Sequence, residues 1–236
     1  MKTILITGGS KGIGKCVVEE AIKNNYRVVF TYNKSKKVAN ELCEKFKGKC
    51  LAVKVNLEIE KDRRKLFQFI KKNKISIDCL VNNAAFDVKK KKFSNIKLSE
   101  IKKIYEVNVF AIYDLIQQSL KFMKNKKEWK SIINLSSTAA KFGGQFFTHY
   151  APTKSAIENL TIGLSKELSK DKIRVVCVAP GVIDTKLENR KNKAIIKSIP
   201  NSRLGKPLEV AKLIIWLTSK SAEYINGTTI TISGGR

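Results

Sequence analysis

The run Gly8-Gly9-Ser10-Lys11-Gly12-Ile13-Gly14 constrains this chain more than any other stretch. Before it, Lys2 to Thr7 is a short β-branched run bounded by glycine, which reads as a buried strand. After it comes a helical pattern through Val17, Val18, Ala21 and Ile22, then a second strand at Arg27 to Tyr32. Strand, glycine turn, helix and strand form a βαβ unit, the context in which a glycine motif acquires meaning. Glycine tolerates positive φ and lets backbone approach a ligand, so the N–H groups from Gly8 to Gly14 and the helix N-terminus can face a pyrophosphate. A glycine turn that holds nothing is the alternative, and the flanking strand and helix favour a dinucleotide.

The end of the second strand bears on which dinucleotide. A carboxylate there would bond a ribose 2′-hydroxyl and repel a 2′-phosphate. This chain has Asn33-Lys34-Ser35, with Lys11 in the glycine turn. Two cations and no acid favour NADPH/NADP+ over NAD. In so lysine-rich a chain, the missing acid carries more weight than the lysines.

The remaining pattern alternates. Strands are expected at Leu51 to Val55, at Asp78 into Asn82-Asn83-Ala84-Ala85, at Ser131 to Leu135, at Ile173 to Val178 before Pro180-Gly181, and at Thr228 to Ser233. Helices are expected at about Lys61 to Lys72, from Ser99 through Val107, Asn108 and Ile112, after Tyr150, and at Leu208 to Thr218. Lys186 to Ser198 reads as a lysine-rich mobile segment. With no repeat, low-complexity tract or linker, residues 1–236 are expected to form a single-domain α/β Rossmann fold, doubly wound, with a parallel sheet of about seven strands. Ligands of such sheets sit beyond the strand C-termini, where Gly8, Asn82, Ser137 and Pro180 fall.

Tyr150, Lys154, Ile157, Thr161, Leu164 and Leu168 recur at spacings of 4, 3, 4, 3 and 4, one face of a helix. The face is apolar toward its C-terminus but opens with a phenol and an ammonium one turn apart. A charged lysine on a core-facing stripe costs about several kcal/mol unless something pairs with it. A bound cofactor or a substrate oxygen could be that partner. Alone, the pair could also arise by chance, with the lysine snorkelling to water.

Composition excludes several classes. No apolar run approaches the ~20 residues of a transmembrane helix, and Thr3-Ile-Leu-Ile-Thr7 is too short for a signal peptide's core. A cytoplasmic protein without membrane contact is expected. Cys16, Cys43, Cys50, Cys79 and Cys177 are scattered and His149 is the one histidine, so reduced thiols and no metal site are expected. Forty-seven basic residues against 20 acidic ones give a net charge of +27, and only seven of the basic residues are arginine. Such a surface could attract nucleic acid, anionic membrane or an acidic protein. The charge is spread along the chain, with local runs at Lys89 to Lys92 and Lys124 to Lys130, which favours a global lysine bias. No helix-turn-helix, zinc finger or aromatic RNA-binding motif is evident, so nucleic-acid binding is not expected.

Thr7-Gly-Gly-Ser-Lys-Gly-Ile-Gly14, Asn82-Asn-Ala-Ala85, Asn108-Val109, Ser137, Tyr150-x-x-x-Lys154 and Pro180-Gly181 with Thr185 together resemble the short-chain dehydrogenase/reductase family, nearly end to end. Asn33-Lys34-Ser35, Ile199-Pro-x-x-Arg-Leu-Gly205 and Tyr224-Ile-x-Gly227 through Gly234-Gly235 are most similar to its 3-oxoacyl-(acyl-carrier-protein) reductases of fatty-acid synthesis. The resemblance implies catalytic roles for four residues. Tyr150 is the general acid that protonates a carbonyl oxygen as NADPH delivers hydride, Lys154 favours its phenolate and holds the nicotinamide ribose, Ser137 orients the carbonyl, and Asn108 holds a proton-relaying water. It implies cofactor contacts from Gly8, Ser10, Lys11, Gly12, Ile13, Gly14, Asn33, Lys34, Ser35, Asn56, Leu57, Asn83, Ala84, Ala85, Tyr150, Lys154, Pro180, Gly181, Ile183 and Thr185. It also implies a homotetramer, paired through the helices around Asn108 and Tyr150 and through the last strand.

Three positions depart from the family pattern. Asn56 replaces an acid that binds adenine, Ala85 replaces a glycine near the ribose, and the lid at about 184–200 is short. The short lid keeps a sugar, polyol or other small carbonyl substrate beside an acyl-carrier-protein thioester. For an acidic carrier, Lys124, Lys126, Lys127, Lys130, Arg190, Lys191 and Lys193 are candidate docking residues.

Overall fold

The computed structural model describes residues 1–86, 88–123, 128–185 and 193–236. Seven strands form one parallel sheet: β1 (Thr3–Ile6), β2 (Arg27–Tyr32), β3 (Cys50–Lys54), β4 (Cys79–Asn82), β5 (Lys130–Leu135), β6 (Ile173–Pro180) and β7 (Thr229–Ile232), in the order β3-β2-β1-β4-β5-β6-β7. The central strands β1, β4, β5 and β6 are buried along their whole length, as a parallel sheet covered on both faces requires. The order reverses between β1 and β4, which opens a crevice at the strand C-termini there.

Among the described residues the helices are α1 (Gly12–Lys23), α2 (Lys36–Lys45), α3 (Glu60–Lys72), α4 (Leu98–Tyr105), α5 (Ala111–Leu120), α6 (Ala139–Phe142), α7 (Ala151–Leu168), α8 (Lys193–Lys197) and α9 (Pro207–Leu217). Alternation along the strands sorts the core into two layers. Ile4, Ile6, Val28 and Phe30 pack with Val17, Val18, Val210 and Ile214 from α1 and α9, while Leu5, Val29, Leu80 and Ile132 pack with Leu66, Leu115 and Ile157 from α3, α5 and α7. No helix among the described residues is long and apolar enough to cross a membrane.

The structure departs from the sequence expectations in several places. α2 escapes the pattern because lysine and glutamate leave it a buried stripe of only Ala39 and Leu42. The helix expected to run from Ser99 past Ile112 is interrupted by a π-helical turn at Glu106–Phe110, which inserts the fully buried Asn108 into the core. β6 runs through Pro180 instead of stopping before it; a proline in the last strand position forfeits little of the ladder. Part of the segment expected to be mobile forms α8, and residues 186–192 lie outside the described residues. Lys130 is no docking residue. It is 4% exposed and its ammonium is paired with Asp78, because a buried cation needs its counter-charge. Lys193 is exposed at the start of α8, whereas Lys124, Lys126, Lys127, Arg190 and Lys191 lie outside the described residues.

A second ion pair closes the region after α8. Arg203 donates to both carboxylate oxygens of Glu209 at 2.9 and 2.6 Å, and the Lys206 N–H caps α9 through the same carboxylate at 2.6 Å. The Arg203 guanidinium, helped by that N–H, holds the Glu209 carboxyl at about 2. A depressed carboxylate pKa stabilises the fold at neutral pH, and the contribution is lost as pH falls below about 4 toward the folded value. The pair is exposed, so Glu209→Gln is expected to cost at most about 1 kcal/mol, roughly 2–4 °C in Tm at pH 7. In thermal melts against pH, the gap between variant and wild type should narrow below about pH 4; a gap that widens there would contradict this assignment.

Candidate active site

The glycine turn is shaped by what lies against it. Gly8 and Gly12 hold φ of +66° and +50°, backbone that glycine adopts without strain. A Cβ on Gly8 would lie 3.1 Å from Ala84 Cα, and one on Gly12 would lie 3.2 Å from Thr185 Cγ2. The turn therefore meets the ends of β4 and β6. Thr31 fastens it from β2, accepting the Gly8 N–H with its hydroxyl at 3.2 Å and the Gly9 N–H with its carbonyl at 2.9 Å. From β4, the Asn83 amide donates to the Thr7 and Gly8 carbonyls at 2.8 and 3.2 Å, and Thr7 Oγ1 accepts the N–H groups of Asn83 and Ala84, each at 3.0 Å. The Asn83 amide nitrogen thus braces the turn. Ser10 is buried, Ile13 packs on the core, and Lys11 reaches solvent.

Further residues ring this crevice. Asn33 and Lys34 are exposed just past β2, and Ser35 caps α2 without a side-chain bond. Asn56 Oδ1 accepts the Glu58 N–H at 3.2 Å in a local turn, beside the buried Leu57. Gly181 packs against Ser233, Ile183 is buried and bridges Gly205, and Ala85 is exposed. The hydroxyl oxygen of Thr185 is buried and has no hydrogen-bond partner among the described residues.

The tyrosine and lysine stand on the adjoining wall. Tyr150 caps α7, with Pro152 in the first turn where its missing N–H costs nothing. Lys154 is 2% exposed and its Nζ donates to the Leu135 carbonyl at 2.9 Å. That leaves donors of the ammonium for a ligand. Its Nζ lies 5.6 Å from the centre of the half-buried Tyr150 ring. Ser137 is the second residue past β5; its Oγ accepts the Ala139 N–H at 3.2 Å and donates to no acceptor among the described residues. Asn108 joins the two walls. Its Oδ1 accepts the Phe86 N–H at 2.8 Å, and its Nδ2 donates to Thr153 Oγ1, next to Lys154, at 3.2 Å.

Sequence reasoning did not single out Thr31 or Glu158 as parts of this site, and met Thr7 and Ser136 only as neighbours of the residues it assigned roles to. Only Glu158, one turn beyond Lys154, carried a usable signal, since a carboxylate beside a core-facing lysine is a spacing that can be searched for. Phe93 and Phe142 are 74% and 67% exposed. Lys90 lies over the Phe147 ring at 5.8 Å, and the Lys91 N–H meets the Phe146 carbonyl at 2.9 Å.

A fully parallel sheet with a glycine turn at its switch point and a tyrosine–lysine pair on the neighbouring wall is an arrangement that suits a dinucleotide-binding oxidoreductase. A family model described as Enoyl-(Acyl carrier protein) reductase matches residues 8–236. The chain belongs to the short-chain dehydrogenase/reductase family, oxidoreductases that act on CH–OH and C=O groups. It is 34% identical to the 3-oxoacyl-[acyl-carrier-protein] reductase FabG of Aquifex aeolicus, over 99% of this chain and 96% of that protein. It is 30% identical to glucose 1-dehydrogenase 2 of Bacillus subtilis, over 99% of this chain and 94% of that protein. Among solved structures, the 3-ketoacyl-(acyl-carrier-protein) reductase of Brucella melitensis complexed with NADH superposes with a TM-score of 0.92, at 29% identity, over 100% of this chain and 98% of the other.

Proposed function

We propose that the protein is an NADPH-dependent reductase of 3-oxoacyl thioesters carried by acyl-carrier protein. The observation that carries this reading is the buried Lys154 beside Tyr150, with ammonium donors left over, on the wall joined through Asn108 to Phe86 in the segment after β4. The residues fit the cofactor: the orphaned Thr185 hydroxyl and the close-fitting turn suit a polar, phosphate-bearing ligand. Backbone from Gly8 to Gly14 would cradle its pyrophosphate, Ala84, Ala85, Pro180, Gly181 and Ile183 would line the ribose and nicotinamide, and Asn56 and Leu57 would meet the adenine. When bound, the nicotinamide supplies the hydride.

The chain's own residues do the rest. Ser137 donates its proton to the substrate carbonyl oxygen and fixes its direction. Tyr150 gives that oxygen a proton, beside the Lys154 ammonium. Asn108 holds the two walls together, and the second hydrogen of its amide is what it can offer a relaying water. The exposed phenylalanines and lysines suit an acyl chain on an anionic carrier. Phe110 and Tyr113, 54% and 46% exposed near the π turn, support the homotetramer.

A second reading, a sugar or small-carbonyl reductase, is favoured by the similarity to a glucose 1-dehydrogenase. Assaying acetoacetyl thioester and glucose with each cofactor separates the two. Turnover of the thioester supports the first, and turnover of glucose alone overturns it. For the cofactor, Lys34→Ala is expected to raise the KM for NADPH about tenfold, as loss of one charged phosphate contact does. The KM for NADH should stay within about twofold; an equal rise for both would show that Lys34 does not read the 2′-phosphate.

A further inference from the structure

Three consecutive residues, the last two of β5 and the one just past it, are tied to three places along α7. Asn134 Nδ2 donates to Thr161 Oγ1 at 3.0 Å, the Leu135 carbonyl accepts from Lys154 Nζ at 2.9 Å, and Ser136 Oγ donates to Glu158 Oε1 at 2.7 Å. The next residue is Ser137. Thr161 also donates to its own helix at Ile157, and Asn134 receives the Asn82 amide at 2.8 Å, so the first tie belongs to the core. The second is made by Lys154 itself. In the third, the Ser136 hydroxyl also approaches the Lys154 carbonyl at 3.4 Å, so the shorter contact to Glu158 is the one that needs an explanation. Glu158 is half-buried, forms no ion pair among the described residues, and receives its hydrogen bond from a 5% exposed serine. A carboxylate whose one hydrogen-bond donor among the described residues is a hydroxyl is a costly choice for mere packing, and its O–H···O⁻ bond is of the strong, charge-assisted kind.

Its place explains it. Glu158 lies one turn after Lys154 on the same face of α7, and Ser136 sits between Leu135, which holds the ammonium, and Ser137, whose Oγ accepts the Ala139 N–H. We propose that Glu158 and Ser136 form a positioning pair that locks the end of β5 to α7, and so sets Ser137 and the Leu135 carbonyl at the heights that Tyr150 and Lys154 require. Neither residue touches the reacting atoms. The inference rests on the oxidoreductase reading for its effect on turnover, but the lock itself is a property of the free chain.

The test is a double-mutant cycle on the full-length protein with two readouts. Steady-state kinetics with NADPH and acetoacetyl thioester should show kcat falling about tenfold in Glu158→Ala and in Ser136→Ala, with the KM for NADPH within about twofold. The double variant should be no worse than either single one, and Glu158→Gln, which keeps an acceptor, should recover most of kcat. Hydrogen exchange by mass spectrometry, which needs no turnover, should show faster exchange over residues 135–138 in both alanine variants and wild-type rates in Glu158→Gln. Unchanged exchange there, additive losses in kcat, or Glu158→Gln as slow as Glu158→Ala would each overturn the proposal. A wild-type chain inactive on every carbonyl would instead refute the reductase reading, while the exchange result still decides whether the lock exists.

Discussion

Gly14→Ala is expected to abolish cofactor binding and to lower Tm by roughly 5–10 °C, the effect of about 2–3 kcal/mol of overpacking in a chain of this size. A Cβ on Gly14 would lie 2.5 Å from Asn83 Nδ2 and closer still to the Gly8 carbonyl oxygen. Gly8 is backbone and cannot swing aside. Asn83 could move only by giving up its bonds to the Thr7 and Gly8 carbonyls, which hold the turn against β4. The substitution therefore damages the shape of the turn and its anchor together. Thermal melts and titration of NADPH fluorescence check it; a variant with wild-type affinity would mean the turn is not the pyrophosphate cradle.

Tyr150→Phe is expected to lower kcat by about 10³-fold, within the range that a positioned general acid contributes. The NADPH affinity should change by less than about threefold, because the phenol oxygen makes no hydrogen bond among the described residues that would have to be broken. The ring's neighbours, Phe147 at 6.1 Å between centroids and Lys154 at 5.6 Å, remain in place, so Tm should be unchanged. This separates the proton donor from its surroundings more cleanly than any change at Lys154, whose removal would also orphan the Leu135 carbonyl.

The topology was legible because its signals are local. The buried, largely apolar strands, the glycine turn with helix and strand around it, and the spacing from Tyr150 to Leu168 each follow from a period that burial imposes. α2 was hidden by lysines that leave it two buried residues, and the π turn by apolar spacing that carries on across it. Lys130 misled for the opposite reason: a lysine in a basic run is solvated by default, and only the fold brings Asp78 beneath it. In the candidate site, the spacing that puts Tyr150 and Lys154 on one face of a helix could be read directly, and the two side chains do lie together. Residues that act through a partner distant in sequence could not be read that way. Asn83 braces Gly8 and Asn108 joins Phe86 to Thr153, and neither pairing is written in any nearby residue. The anchoring of the turn by Thr31, 23 residues away, belongs to the same class.

The reductase account turns on a tyrosine that hands its proton to a ketone beside a buried ammonium. Its most direct test is the initial rate of NADPH oxidation with acetoacetyl thioester, measured for wild type and Tyr150→Phe at equal saturation with NADPH. Rapid, thioester-dependent oxidation by the wild type and a loss of about 10³-fold in the folded, cofactor-binding variant is the predicted result. Equal rates in the two proteins would contradict it.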